Sequence, residues 1–193
     1  MARLESERKA GYYRLPDALA PMIAERIGTM PSAEREGYRY RILDPCCGEG
    51  IALADIAELI RKHATVPIET YGIELHPGRA ASAAEKLDQV TCGDIFAAET
   101  TRFDAVYLNP PYVHGSMESR FLDKALTMIA DNGLLILVIQ KKTLRNVAGA
   151  ISSNFHDICV REFPEPEREI FGQITLTARK NPGFVATDPE TRR

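Results

Sequence analysis

The chain lacks most of the features that mark metal-bound, secreted and membrane proteins. Its 193 residues include four cysteines, Cys46, Cys47, Cys92 and Cys159, and no two of them form a C-x-x-C pair. No histidine stands at zinc-ligand spacing, so no metal is expected and the thiols read as reduced, structural side chains. Long apolar runs are missing: the longest strongly apolar stretch, residues 134–139, falls far short of a membrane span. Residues 1–9 are charged and carry no apolar signal region. Together these absences predict a cytoplasmic protein without membrane contact. A net charge of only -3 argues against a protein that wraps nucleic acid by bulk positive charge. Any such contact needs a local basic patch. No internal repeat or low-complexity block is present.

What remains is an ordinary globular composition, 45% hydrophobic and 26% charged, in a length that suits one domain with a substantial core. Apolar periodicity predicts helices over 17–27, 51–62, 77–87, 119–130 and 143–154. Short apolar or alternating runs predict strands over 41–44, 68–74, 90–92, 103–108 and 134–140. Two last segments, 157–163 and 173–180, read as an antiparallel pair, and Asp131-Asn132-Gly133 reads as a turn. Alternating strands and helices imply an α/β fold, a mainly parallel seven-stranded sheet covered on both faces. Residues 1–180 form the expected domain, its first 40 residues a covering segment and helix, and 181–193 a flexible polar tail.

In such sheets ligands sit beyond the carboxyl ends of the strands. Four segments fall there. Asp44-Pro45-Cys46-Cys47-Gly48-Glu49-Gly50 joins the first strand to the first helix, and its glycines allow close backbone approach. It is neither a P-loop nor a nicotinamide fingerprint, since no Lys-Ser/Thr follows and position 53 is leucine. Glu74 ends the second strand, where a carboxylate suits a ribose. Asp94 follows the third, with a helix N-cap as its competing role.

Asn109-Pro110-Pro111-Tyr112 follows the fourth strand and is the most specific stretch. Two prolines stop the ladder and stiffen the turn. That turn fixes the Asn109 amide and the Pro110 carbonyl as neighbouring acceptors beside the Tyr112 ring, a site shaped for a planar group bearing NH2. An ordinary strand-ending turn is the other reading.

The tetrapeptide resembles motif IV of the amino-methyltransferases that use S-adenosylmethionine, above all the adenine-N6 enzymes. Asp44-Pro45-x-x-Gly48-x-Gly50 resembles their motif I, and Gly11-Tyr12-Tyr13-Arg14-Leu15-Pro16 loosely resembles motif X. The order of motifs is that of the gamma class. The resemblance implies a Rossmann-like class I methyltransferase fold with S-adenosylmethionine as cofactor. It implies that Tyr13, Pro45, Gly48 and Gly50 pack on the cofactor and that Asp44 lies near its methionine end. Glu74 would hold the ribose, Asp94 the adenine amine, and Leu75 and Ile95 the adenine faces, with Asn109 bordering the methyl donor. Tyr112 and Phe171 would stack on the target base, and Lys141, Lys142 and Arg145 would meet phosphates. For Leu75, Ile95 and Phe171 core packing is the competing account, and for the basic residues a solvated patch.

The expected activity is methyl transfer to an exocyclic amine, adenine N6 in DNA first. An adenine or guanine amine in RNA, a protein glutamine, and a non-catalytic cofactor- or nucleic-acid-binding module are the alternatives. Catalysis by positioning requires no His, Cys or Lys constellation, and none is present. Nothing after Lys180 reads as a target-recognition region, so sequence preference is expected to be minimal, made by a partner, or formed across a homodimer.

Overall fold

The computed structural model describes residues 21, 23, 25–26, 37–62, 64–99, 101–111, 117–163, 165, 168–169 and 172–183. Tyr13, Tyr112, Phe171, most of the helix expected over 17–27 and nearly all of the tail expected over 181–193 lie outside the described residues.

Seven strands form one sheet in the order β3-β2-β1-β4-β5-β7-β6. They are β1 (Tyr40–Asp44), β2 (Ile68–Glu74), β3 (Gln89–Cys92), β4 (Phe103–Leu108), β5 (Ile129–Gln140), β6 (Phe155–Glu162) and β7 (Gln173–Lys180). The first five run parallel, and β7 inserts antiparallel between β5 and β6. Helices α1 (Ile51–Arg61), α2 (Pro77–Ala84), α3 (Met117–Met128) and α4 (Leu144–Asn154) alternate with these strands.

The period-2 pleat divides each central strand between two cores. On β5, Leu134, Ile136 and Val138 join Leu53, Ile56 and Ile60 of α1 on one face. Leu135, Leu137 and Ile139 join Leu122, Leu126, Val147 and Ile151 of α3 and α4 on the other. Each fully buried aliphatic side chain contributes roughly 1.5–3 kcal/mol on leaving water. Local chemistry marks the ends of the helices. Gly50 takes a left-handed conformation (φ 76) to start α1, and Pro77 opens α2 after an extended His76.

Several boundaries differ from the sequence reading, among them the helix expected over 119–130, which is α3 (Met117–Met128). β5 starts at Ile129, so the expected turn at 131–133 is an irregularity inside the ladder. Pairing jumps from Phe103↔Ile129 to Ala105↔Leu134, and Asn132 takes φ 60 to accommodate the extra residues. α2 stops at Ala84, and a turn delivers Leu87 to the core. β6 starts at Phe155 and is irregular between His156 and Cys159, where Asp157 has φ 50.

Lys180, at the end of β7, is 1% exposed. Its Nζ donates to the carbonyls of Leu126 (2.9 Å) and Ile129 (2.8 Å), the last turn of α3 and the start of β5. A cation there satisfies two carbonyl groups and complements the helix dipole. Lys180→Met is expected to destabilise the protein by about 2 kcal/mol, since hydrogen bonds to charged groups contribute at that level. Urea unfolding measures the loss, and a change below 0.5 kcal/mol would remove this capping role.

Candidate active site

Because β1 to β4 are parallel, their carboxyl ends open on one edge, and the loops that leave them meet there. The register Asp44↔Gly72 sets the exit of β1 beside that of β2, and Leu43↔Val106 sets it beside β4. The loop from Asp44 to Gly50 is pulled down onto β2: Cys47 N donates to Ile73 O at 3.0 Å and Gly48 N to Glu74 Oε2 at 3.0 Å. Gly72 makes this approach possible, since a Cβ there would stand 2.6 Å from Cys47 Sγ. Gly50 lies against α2, where a Cβ would meet Ala83 at 3.1 Å.

Glu74 is 6% exposed, and both of its oxygens are occupied. Oε2 accepts the Gly48 amide, while Oε1 accepts His76 N (2.8 Å), Arg79 Nε (3.0 Å) and Arg79 Nη2 (2.6 Å). Arg79 escaped the sequence reading; its signal is a basic residue in the first turn of the helix that follows a strand-ending acid. Asp44 is 3% exposed and accepts Cys46 N at 2.9 Å. Burial raises its carboxyl from 3.8 to about 7, against the pull of the Cys46 amide and with help from the Glu74 charge. The Cys46 and Cys47 thiols are pushed up by burial and by the same carboxylates, so they stay protonated and pack as expected.

Asp94 realises the capping role: its Oδ1 accepts Phe96 N at 3.0 Å, at the head of a 3-10 turn over Ile95–Ala97. The cap uses one of its two oxygens. Phe96 packs on Phe121 with centroids 5.0 Å apart, which docks the turn on α3. Leu75 and Ile95 part company. Leu75 is 69% exposed at the ligand edge, whereas Ile95 is 5% exposed in the core.

Asn109, Pro110 and Pro111 leave β4 at the same edge, with Pro110 buried. Glu118, in the first turn of α3, is 5% exposed with no hydrogen-bond partner for Oε2. It stands one turn before Leu122 on the apolar stripe, a position at which a charge is itself a signal. Lys141, Lys142 and Arg145 are exposed beyond β5. Lys141 pairs with Glu162, and Arg168 with Glu162 and Glu165, along an open groove of about 610 Å³ that Gln140 and Gln173 also line. Among the described residues no group of three His, Cys, Asp or Glu side chains could hold a metal. No helix among them is long and apolar enough to cross a membrane.

The family model described as "Uncharacterised methyltransferase family (DUF6094)" matches residues 1–192. The chain belongs to this methyltransferase family. No curated protein matches the sequence. Many solved structures resemble the fold of this methyltransferase, three of them as follows. One, from Listeria monocytogenes, is assigned to the class I S-adenosylmethionine-dependent methyltransferases (TM-score 0.68, 15% identity, 90% of this chain and 62% of that one). Another is the methyltransferase subunit of a type I restriction-modification system from Streptococcus thermophilus (0.62, 15%, 89% and 45%). A third, from Clostridium thermocellum, is assigned as an rRNA methylase (0.60, 18%, 88% and 98%).

The Rossmann-like fold and S-adenosylmethionine as cofactor follow for this methyltransferase. The residues at the edge fit that cofactor. Gly48 and Gly50 lack a Cβ beside the buried acids Asp44 and Glu74, and a large apolar side chain, Leu75, stands 69% exposed at the same edge.

The buried Asp44 also makes stability depend on pH. Its carboxyl titrates near 4 when unfolded and near 7 when folded. Between those values the folded state holds the extra proton, so stability falls as pH rises and the penalty is complete above the window. Asp44→Asn keeps the acceptor for Cys46 and removes the charge. It is expected to stabilise the ligand-free protein by roughly 3 kcal/mol at pH 8 and by less than half as much at pH 5. Urea unfolding at both pH values tests this, and equal gains would mean that Asp44 is charged throughout.

Proposed function

We propose that this methyltransferase acts on the N6 amine of adenine in DNA. The observation that carries the proposal is the placement of Asn109-Pro110-Pro111: the stretch leaves β4 next to β1, whose glycine loop is the cofactor's natural seat. When bound, S-adenosylmethionine supplies an electrophilic methyl group on a sulfonium.

The chain's own part is to prepare a poor nucleophile. The adenine amine delocalises its lone pair into the ring. If the Asn109 side-chain oxygen and the Pro110 carbonyl each accept one amine hydrogen, nitrogen is driven toward tetrahedral geometry and its lone pair points at the methyl carbon. Transfer would form the N–C bond as the sulfonium C–S bond breaks, and the methylated ammonium, itself strongly acidic, would give its proton to water. Positioning and fixed dipoles therefore carry the rate. In this reading Glu74 takes the ribose, Asp94 the adenine amine through the oxygen its cap leaves, Leu75 one adenine face, and Asp44 the cationic methionine end, with Tyr13 over the cofactor. The target base flips out of the duplex to stack on Tyr112, with Phe171 opposite. Lys142 and Arg145 are the better phosphate contacts, since Lys141 already faces Glu162. A partner protein or a second copy of the chain would supply sequence preference.

RNA is the second reading. The chain spans 98% of the rRNA methylase it resembles but only 45% of the restriction-modification subunit. Tritiated S-adenosylmethionine offered with duplex DNA, single-stranded DNA, transfer RNA and ribosomal RNA, followed by nucleoside digestion, separates the two. N6-methyldeoxyadenosine is the expected product, and label in RNA alone would replace DNA by RNA. Asn109→Ala is expected to lower transfer at least ~100-fold while changing cofactor affinity less than about 2-fold. Full activity in that variant would refute the assigned role.

A further inference from the structure

Four donors converge on the Glu74 carboxylate, and they are unevenly shared. Oε1 receives three, from the His76 amide and from Nε and Nη2 of Arg79; Oε2 receives only the Gly48 amide. An ionised carboxylate offers about two lone-pair sites on each oxygen. Oε1 is therefore saturated, and Oε2 keeps room for one more donor. Arg79 is badly placed for its own helix. It lies in the first turn of α2, which contains no acidic residue, so its charge opposes the helix dipole. The ion pair with Glu74 offsets that opposition, and the Glu74 side chain is only 7% exposed. Charge-assisted bonds from one planar guanidinium fix the plane of a carboxylate as well as its charge.

We propose that Arg79 is a positioning residue for the cofactor's ribose: it locks Glu74 so that only Oε2 receives a ribose hydroxyl. The inference rests on the ribose role proposed for Glu74. A carboxylate free to turn would take both hydroxyls of the diol, one on each oxygen. With Oε1 held by Arg79 and His76, one hydroxyl binds the carboxylate and the other does not. Ribose recognition is then lopsided by construction, and Arg79 is the cause.

Calorimetry of S-adenosylhomocysteine and its 2′-deoxy and 3′-deoxy analogues tests this in the wild type and in Arg79→Ala, Arg79→Lys and Glu74→Gln. Melting of each ligand-free variant provides the folding control. In the wild type, loss of one hydroxyl is expected to weaken binding about 10-fold and loss of the other less than about 3-fold. In Arg79→Ala the two penalties converge. Arg79→Lys recovers charge without the fork, so overall affinity rises but the asymmetry stays lost. Equal penalties in the wild type, or wild-type asymmetry in Arg79→Ala, would overturn the inference, the second result reducing Arg79 to a structural ion pair. If Glu74→Gln keeps both wild-type penalties, the ribose assignment of Glu74 fails, and the inference fails with it.

Discussion

The Gly48 amide reaches Glu74 across 26 positions of sequence at 3.0 Å, and that bond forms only because β1 and β2 run parallel in the register Asp44↔Gly72. Parallel pairing sends both chains out at the same edge; an antiparallel neighbour would send its loop to the far side of the sheet. Gly72 permits the contact by leaving room for Cys47. The glycine loop and the acid are thus fixed together by the sheet before any ligand arrives. β4 joins them because it too pairs parallel with β1, which brings Asn109 and Pro110 to the same edge.

The same arrangement concentrates negative charge. Asp44 and Glu74 are both nearly buried, and the Glu74 charge raises the cost of ionising Asp44. The protein neutralises one with Arg79 and the Gly48 and His76 amides, and leaves the other with a single amide from Cys46. The group left under-bonded is the one whose carboxyl is displaced to about 7. On the proposed reading a cationic ligand end would relieve that tension, a trade of stability for binding.

Much of this was legible in the sequence for a physical reason. Short apolar strands bounded by Gly, Pro and Asp announce themselves, and ligand positions in a parallel sheet follow from strand ends. The place of Asp44, Glu74, Asp94 and Asn109 at those strand ends was readable that way. What stayed hidden depends on pairing between distant residues. Nothing local to Lys141 reveals that Glu162, on another strand, takes its charge. Nothing near Asn132 says that its turn chemistry will serve a bulge instead of a strand start. Arg79 and Glu118 each break a local rule, one opposing a helix dipole and the other interrupting an apolar stripe. Conflicts of that kind mark function more often than error.

The division of labour among these residues also bears on how pH enters the chemistry. On the proposed reading the two groups that grip the target amine are an amide and a backbone carbonyl, neither of which titrates. Any pH dependence must then come from elsewhere. The thiols of Cys46 and Cys47 are pushed up by burial. Asp44, its carboxyl raised to about 7 by burial, lies at the end of β1 rather than at the turn after β4. On that reading the methyl-transfer step and the proton equilibrium would fall on different strands, the chemistry after β4 and the pH dependence of cofactor binding at the end of β1.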